Sequence, residues 1–328
     1  MTQDGPDFTD LPDVASRTLG GGVVHADDEL FASADNLVNP GPPEHDPQAF
    51  GPRGKVYDGW ETRRRRTPGH DTAVIRLGVR SEVAGVVVDT AWFAGNYPPR
   101  VGVDGVDLPG YPSVDELLDA PWKPLVPVSD VRGDARNPFA VDGSPACTHV
   151  RLTLHPDGGV ARLRVHGRPV PDPALLTGTV DLAALENGGD VVDCSDAFYA
   201  SARNLLLPGR ARTTGEGWEN ARRRDGGNDH VTVRLAGPGT VRRLVLDASR
   251  FVGNAPGEVL VRGRTGAPTG GDDGPWITLL PRTRLQPDTR HVFAVDPRAA
   301  GTTVDHVRLD VYPDGGLARF RVLGELSR

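Results

Sequence analysis

The chain has little sulfur, few aromatic residues and no excess of positive charge. Its two cysteines, Cys147 and Cys194, lie in neither CxxC nor Cys/His spacing, and two thiols build no disulfide framework. No apolar stretch approaches the ~18 residues of a membrane span. The opening MTQDGPDFTD has neither the basic start nor the apolar run of a signal peptide. These absences set the cytoplasm as the expected compartment and leave no membrane partner. A net charge of −7 over 328 residues argues against nucleic acid. The nine histidines form no HxH, HxxxH or HExxH pattern, so no metal site and no cofactor are expected, with divalent-metal stimulation left open. GxSxG is absent. The Gly-rich run at Gly20 is not followed by Lys-Ser/Thr, which argues against a phosphate-binding loop.

What the chain does have is repetition. GWETRRRR begins at Gly59 and GWENARRR at Gly217. At the same offset, GHDTAVIRL from Gly69 matches GNDHVTVRL from Gly227. VVVDTAWFAGNYP from Val86 likewise matches LVLDASRFVGNAP from Leu244. DELFASADNL from Asp28 recurs as DAFYASARNL from Asp196, WKPLVP from Trp122 as WITLLP from Trp276, and HVRLTLHPDGGVARLRVHG from His149 as HVRLDVYPDGGLARFRVLG from His306. A repeat of hydrophobic spacing alone would report a reused core. One that keeps Trp, Glu, Arg, Asp and Gly-Asn suggests a reused surface as well.

The repeated blocks are short, Val-rich and often alternating, as strands are. Gly 41 and Pro 30 suit a turn-rich β protein. The fold predicted is all-β: two tandem β-sandwich domains from an internal duplication, residues 1–168 and 169–328. A Pro-containing linker is expected from Gly167 through GRPVPDPALLTGTVDLAALENGG, and an exposed Pro-rich insertion over NPGPPEHDPQAFGPRGK from Asn39. VDELLDA from Val114 and PALLTG from Pro173 each suit a turn or two of helix. PDGG at Pro156 and Pro313 reads as a hairpin turn, because Asp-Gly between strands is a strong hairpin signal.

The repeated polar residues suggest chemistry. Arg63 and Arg65 offer planar forks to a small anion, with Glu61 to orient an Arg, accept ligand hydrogen bonds or move a proton. Glu219, Arg222 and Arg224 are their counterparts beside Trp218. The competing account of this motif is a solvated charge run flanking a buried Trp. His70 beside Asp71 is a candidate acid or base near neutral pH. Asn228 replaces His70 in the second copy, so only the first copy can use it. Asp89 ends an apolar strand and must be paired or face a site. Asn96, Tyr97 and Arg100 follow it. Asn254 keeps the Asn, but Ala255 and Glu258 replace Tyr97 and Arg100. The first copy is therefore the better equipped.

Together, LGGGVVHADDELFASADNL from Leu19, GWETRRRR with GHD, and DTAWFAGNYPPR from Asp89 resemble the allantoicase family over roughly Leu11 to Gly324. The resemblance implies two jelly-roll β-sandwiches of the galactose-binding-domain-like type. It implies hydrolysis of allantoate to ureidoglycolate and urea in allantoin degradation, by proteins that are often homo-oligomers. Allantoate carries a carboxylate and two ureido groups on one carbon. Arg63, Arg65 or Arg100 would take the carboxylate. Glu61, Asp89 or the Asn96 carbonyl would accept the ureido N–H groups. His70, held by Asp71 or Glu61, is the candidate for proton transfer. A non-catalytic tandem module that binds a small carboxylate or sugar is the alternative, and an interaction protein using its Arg clusters is a third.

Overall fold

A computed structural model describes residues 8–52, 54–266 and 275–327. Most of the N-terminal segment that carries no signal-peptide pattern, residues 1–7, lies outside them. The chain divides into two compact units, Met1–Val170 and Pro171–Arg328.

Each unit is organised by one 19-residue strand, Asp71–Asp89 in the first and Asp229–Asp247 in the second. The N-terminal half of Asp71–Asp89 pairs antiparallel with Gly22–Ala26 and Ala146–His155. Its C-terminal half pairs with Arg162–Pro169 and Arg136–Ala140. Arg100–Val106 and Lys123–Asp130 extend the first sheet beyond Ala146–His155. The long strand thus leaves one layer and enters the other, and the register breaks between Arg76 and Ser81 where it does so. Gly78 sits at this break because a Cβ there would lie 2.4 Å from the Leu19 carbonyl oxygen.

The second unit repeats the scheme. Asp190–Cys194 and Thr303–Tyr312 pair with one half of its long strand, and Arg319–Leu326 and Arg290–Ala294 with the other. Alternating side chains from the facing layers fill each core, and Trp60, Phe93, Trp218 and Phe251 are fully buried. These are the tandem β-sandwiches expected. Val114–Leu118 forms an α-helix closed by a Ser113/Glu116 capping box, and Pro173–Leu175 a 3-10 turn.

Two local expectations fail. PDGG does not close a hairpin: Ala146–His155 and Arg162–Pro169 pair with different halves of the long strand rather than with each other. Between them, Gly159–Val160 pairs with Trp60–Glu61. Gly158 has φ +143°, and a Cβ on it would lie 2.5 Å from the Pro98 nitrogen. The segment is therefore a crossing pressed against the Asn96–Pro98 loop, and Gly315 repeats it against Asn254. The linker also starts later than its composition suggests, since Gly167–Pro169 are still strand. Val180–Asp181 already pairs with Leu323 and Gly324 of the second unit. The insertion after Asn39 is largely exposed, and Arg162 and Arg164 pin it by donating to the Asn39, Pro40 and Gly41 carbonyls.

Candidate active site

The buried Trp60 fixes the first unit's polar loop in place. Its indole N–H donates to the Asp28 carbonyl at 2.7 Å. The Asp28 carboxylate in turn accepts from the Arg63 backbone N–H at 2.9 Å and from Arg63 Nε at 2.6 Å. Two residues on, the Arg65 N–H donates to Asp157 of the crossing at 2.8 Å. The loop is thus held from both sides, by the DELFASADNL block and by PDGG.

Arg65 then turns back on its own chain. Its Nη1 donates to Asp71 Oδ1 at 2.5 Å and to the His70 carbonyl at 3.2 Å. Asp71 is 2% exposed, so its charge depends on this guanidinium. Arg65 Nε has no partner, and neither does Asp71 Oδ2. Around this pair opens a cavity of about 720 Å³, lined by Asp27, Asp28, Phe31, Thr67, Asp71 and the four arginines Arg63 to Arg66. Guanidiniums and carboxylates both line it. That suits a small ligand carrying both a carboxylate and N–H groups.

The remaining candidates do not line the cavity. Glu61 accepts from Asn96 Nδ2 at 2.6 Å. Burial pushes its carboxyl above the ordinary range, partly offset by the Asn96 hydrogen bond. Tyr97 packs on Gly133, where a Cβ would meet its ring at 2.4 Å. His70 is exposed and tilted against His155, with ring centroids 5.4 Å apart. Burial, then the nearby His70 and Arg100 charges, hold His155 below the usual imidazole range. The expected hold of Asp71 or Glu61 on His70 is not formed: Asp71 turns to Arg65 and Glu61 to Asn96. Arg65 brings a permanent charge and a planar fork to the buried carboxylate. Asp89 accepts from the Ala91 N–H at 2.9 Å, closing a turn that Asp247 repeats with Ser249.

In the second unit Asn254 donates to Glu219 at 2.5 Å. Arg222 and Arg224 are exposed, and the residue that repeats Arg65 is Arg223, bound to Asp229 at 2.6 Å. Ala221 stands where Arg63 does, so Asp196 receives only a backbone N–H there. A separate cavity of about 470 Å³ opens against Asn228, Glu258, Arg282 and Tyr312.

Sequence reasoning missed Asp28, Asp157 and the pair formed by His25 and Asp27. Asp28 and Asp157 both lie in repeated blocks, DELFASADNL and PDGG, and that recurrence was the available signal. His25 Nε2 lies 3.1 Å from Asp27 Oδ1, and Asp27 lines the cavity. Among the described residues no three His, Cys, Asp or Glu side chains are grouped to hold a metal ion. No helix among them is long and apolar enough to cross a membrane.

Fold and site define a duplicated β-sandwich protein with an Arg- and Asp-lined cleft in its first repeat. The allantoicase repeat matches residues 12–170 and again 180–327. The chain is 58% identical over 323 residues to a probable allantoicase of Nocardia farcinica, covering 98% of this chain and 96% of that one. It is 48% identical over 334 residues to a probable allantoicase of Streptomyces coelicolor, covering 98% and 87%. The crystal structure of allantoicase from Saccharomyces cerevisiae superposes with a TM-score of 0.80 at 33% identity, covering 96% of this chain and 93% of that one. The chain belongs to the allantoicase family. It is accordingly a hydrolase acting on C–N bonds in linear amidines.

Proposed function

We propose that the protein hydrolyses allantoate to ureidoglycolate and urea. The observation that carries this reading is the near full-length likeness to allantoicases, joined to a cavity whose lining matches the substrate. The carboxylate goes to the guanidiniums, with Arg65 held in place by Asp71. Ureido N–H groups face the Asp27 and Asp28 carboxylates, which line the cavity, where the sequence had offered Glu61, Asp89 or the Asn96 carbonyl.

The C–N bond to one ureido group breaks as its nitrogen takes a proton, and urea departs. The lone pair of the remaining ureido nitrogen helps expel it. Water then adds to the imine-like carbon and gives up a proton; direct displacement by water reaches the same products. Glu61 and His70 flank the Arg65 loop in sequence and are our candidates for these two proton transfers, although neither lines the cavity. A carboxyl raised by burial is suited to donate a proton nearer neutral pH than a free glutamate is.

The same reading includes a cytoplasmic location, consistent with free thiols at Cys147 and Cys194, and an assembly of identical chains. Its test is urea release from allantoate by the purified protein, with and without Mn²⁺. Release at a rate proportional to enzyme supports it, and no urea above the blank under either condition refutes it.

A further inference from the structure

The two repeats treat the same guanidinium edge differently. In the second unit, Asp225 lies side-on to Arg223, with Nε to Oδ1 at 2.9 Å and Nη2 to Oδ2 at 3.0 Å. Nη1 of the same Arg is taken by Asp229. Arg223 therefore holds two carboxylates, one buried and structural, the other 65% exposed and supplied by the loop. In the first unit Nη1 of Arg65 is likewise taken by Asp71. Thr67 stands where Asp225 does, and Arg65 Nε is buried without a hydrogen-bond partner, a donor that a ligand carboxylate would satisfy. The loops also differ at Pro68/Gly226 and His70/Asn228, but both lay a glycine over the fork: a Cβ on Gly69 would lie 2.7 Å from Arg65 Nη2, and one on Gly227 2.8 Å from Arg223 Nη2. Arg65 and Thr67 both line the large cavity.

From this difference we infer that the Nε/Nη2 edge of Arg65 is the carboxylate-binding site of the first repeat, and that Asp225 occupies the corresponding edge in the second as a built-in carboxylate. The second copy shows the geometry a ligand carboxylate adopts in the first: a side-on fork over a glycine, opposite the buried aspartate. A side-on fork makes two parallel charge-assisted hydrogen bonds, which a solvated Thr hydroxyl cannot replace. The inference selects one Arg of the three considered for the carboxylate. It also gives a physical reason why the second copy of the motif would not bind the same ligand. It rests on the proposed function only for the identity of the ligand; the fork requires a small carboxylate.

The test places an internal carboxylate in the first repeat. Hydantoate, which has the carboxylate and one ureido group of allantoate, is the probe, titrated calorimetrically into the full-length protein. Thr67→Asp is compared with Thr67→Asn, which has the same shape and no charge. The inference expects Thr67→Asp to weaken hydantoate binding about 10- to 100-fold, while Thr67→Asn stays within about threefold of the parent chain. Equal affinities in the Asp and Asn variants would overturn it. Both variants change an exposed loop position, and their thermal transitions are compared with the parent's to establish folding. If the parent binds hydantoate in this pattern but releases no urea from allantoate, the fork assignment stands and the allantoate reading fails.

Discussion

In both units an arginine reaches across a short loop to a buried aspartate, Arg65 to Asp71 and Arg223 to Asp229. In both, the next strand crossing sends an aspartate back to the arginine's backbone N–H, Asp157 in one and Asp314 in the other. The Glu–Asn contact recurs too, Glu61 with Asn96 and Glu219 with Asn254. Much of the repeated polar vocabulary therefore braces the loops of a β-sandwich. What separates the units is the set of groups left over. The first has Arg63 on Asp28, an unpartnered Arg65 Nε and a glutamate raised by burial. The second has Ala221 and a guanidinium edge filled by Asp225. On the proposed reading, the duplication keeps its scaffold intact while only the first copy takes the ligand.

The sharpest way to break this comparison is to remove the shared arginine from each copy. Arg65→Ala and Arg223→Ala should each lower the denaturation midpoint, because either leaves a buried aspartate without its counter-charge. Only Arg65→Ala should also lower kcat/KM for urea release, by roughly 100-fold or more. Denaturant melts and steady-state kinetics on the folded protein read both effects. A comparable kinetic loss in the Arg223 variant would show that the second unit takes part in catalysis.

Next in size is the glutamate pair. Glu61→Gln should reduce kcat more than Glu219→Gln does. The stability effect should run the other way. Burial raises the folded-state carboxyl of Glu61 above its unfolded value, so the charged form is penalised in the folded protein. The wild-type residue thus costs stability as pH rises through and above its titration. Glu61→Gln keeps an acceptor for Asn96 without the charge. It should raise Tm near neutral pH, with the gain shrinking as pH falls through the carboxylate range. A variant less stable at pH 7 than at pH 4, relative to the parent, would contradict this account.

Asp225→Thr gives the second loop the first loop's residue. It should leave the rate of urea release within about twofold of the parent, since the exposed Arg223–Asp225 pair contributes little to stability. A large kinetic loss would mean that Asp225 has a role in the first repeat's chemistry. The last comparison is His70→Asn, the residue of the second copy, which should lower kcat if His70 carries one of the proton transfers. It removes one of the charges that hold His155 down, so His155 should titrate at a higher pH in an NMR titration. An unchanged His155 titration would remove the His70–His155 coupling. An unchanged kcat would remove His70 from the proton transfer.

Much of the architecture was readable because the fold depends on patterns of single residues. Val-rich alternation marks strands whichever partner they find. Two copies of GWE…RRR and Gly-Asn mark two copies of one domain. The acidic balance and the lack of apolar runs bound the partners. The differences at His70, Tyr97 and Arg100 are also fixed in the chain, and they already mark the first repeat as the better equipped. Partnership is another matter. His70 and Asp71 are neighbours in sequence, but successive residues at the start of a strand point to opposite faces, and the buried one meets Arg65. PDGG carries a hairpin signal, yet the strands flanking it join opposite layers of the sandwich, and only the packed fold shows Asp157 reaching Arg65. Asp28 becomes a lining residue because the Trp60 indole draws its backbone in from 32 residues away. The sequence by itself determined the duplicated β-sandwich and the unequal copies, because those follow from residue type and periodicity. Only the tertiary structure decided which arginine edge is left unpartnered and which is filled, because that depends on side chains brought together across loops and layers.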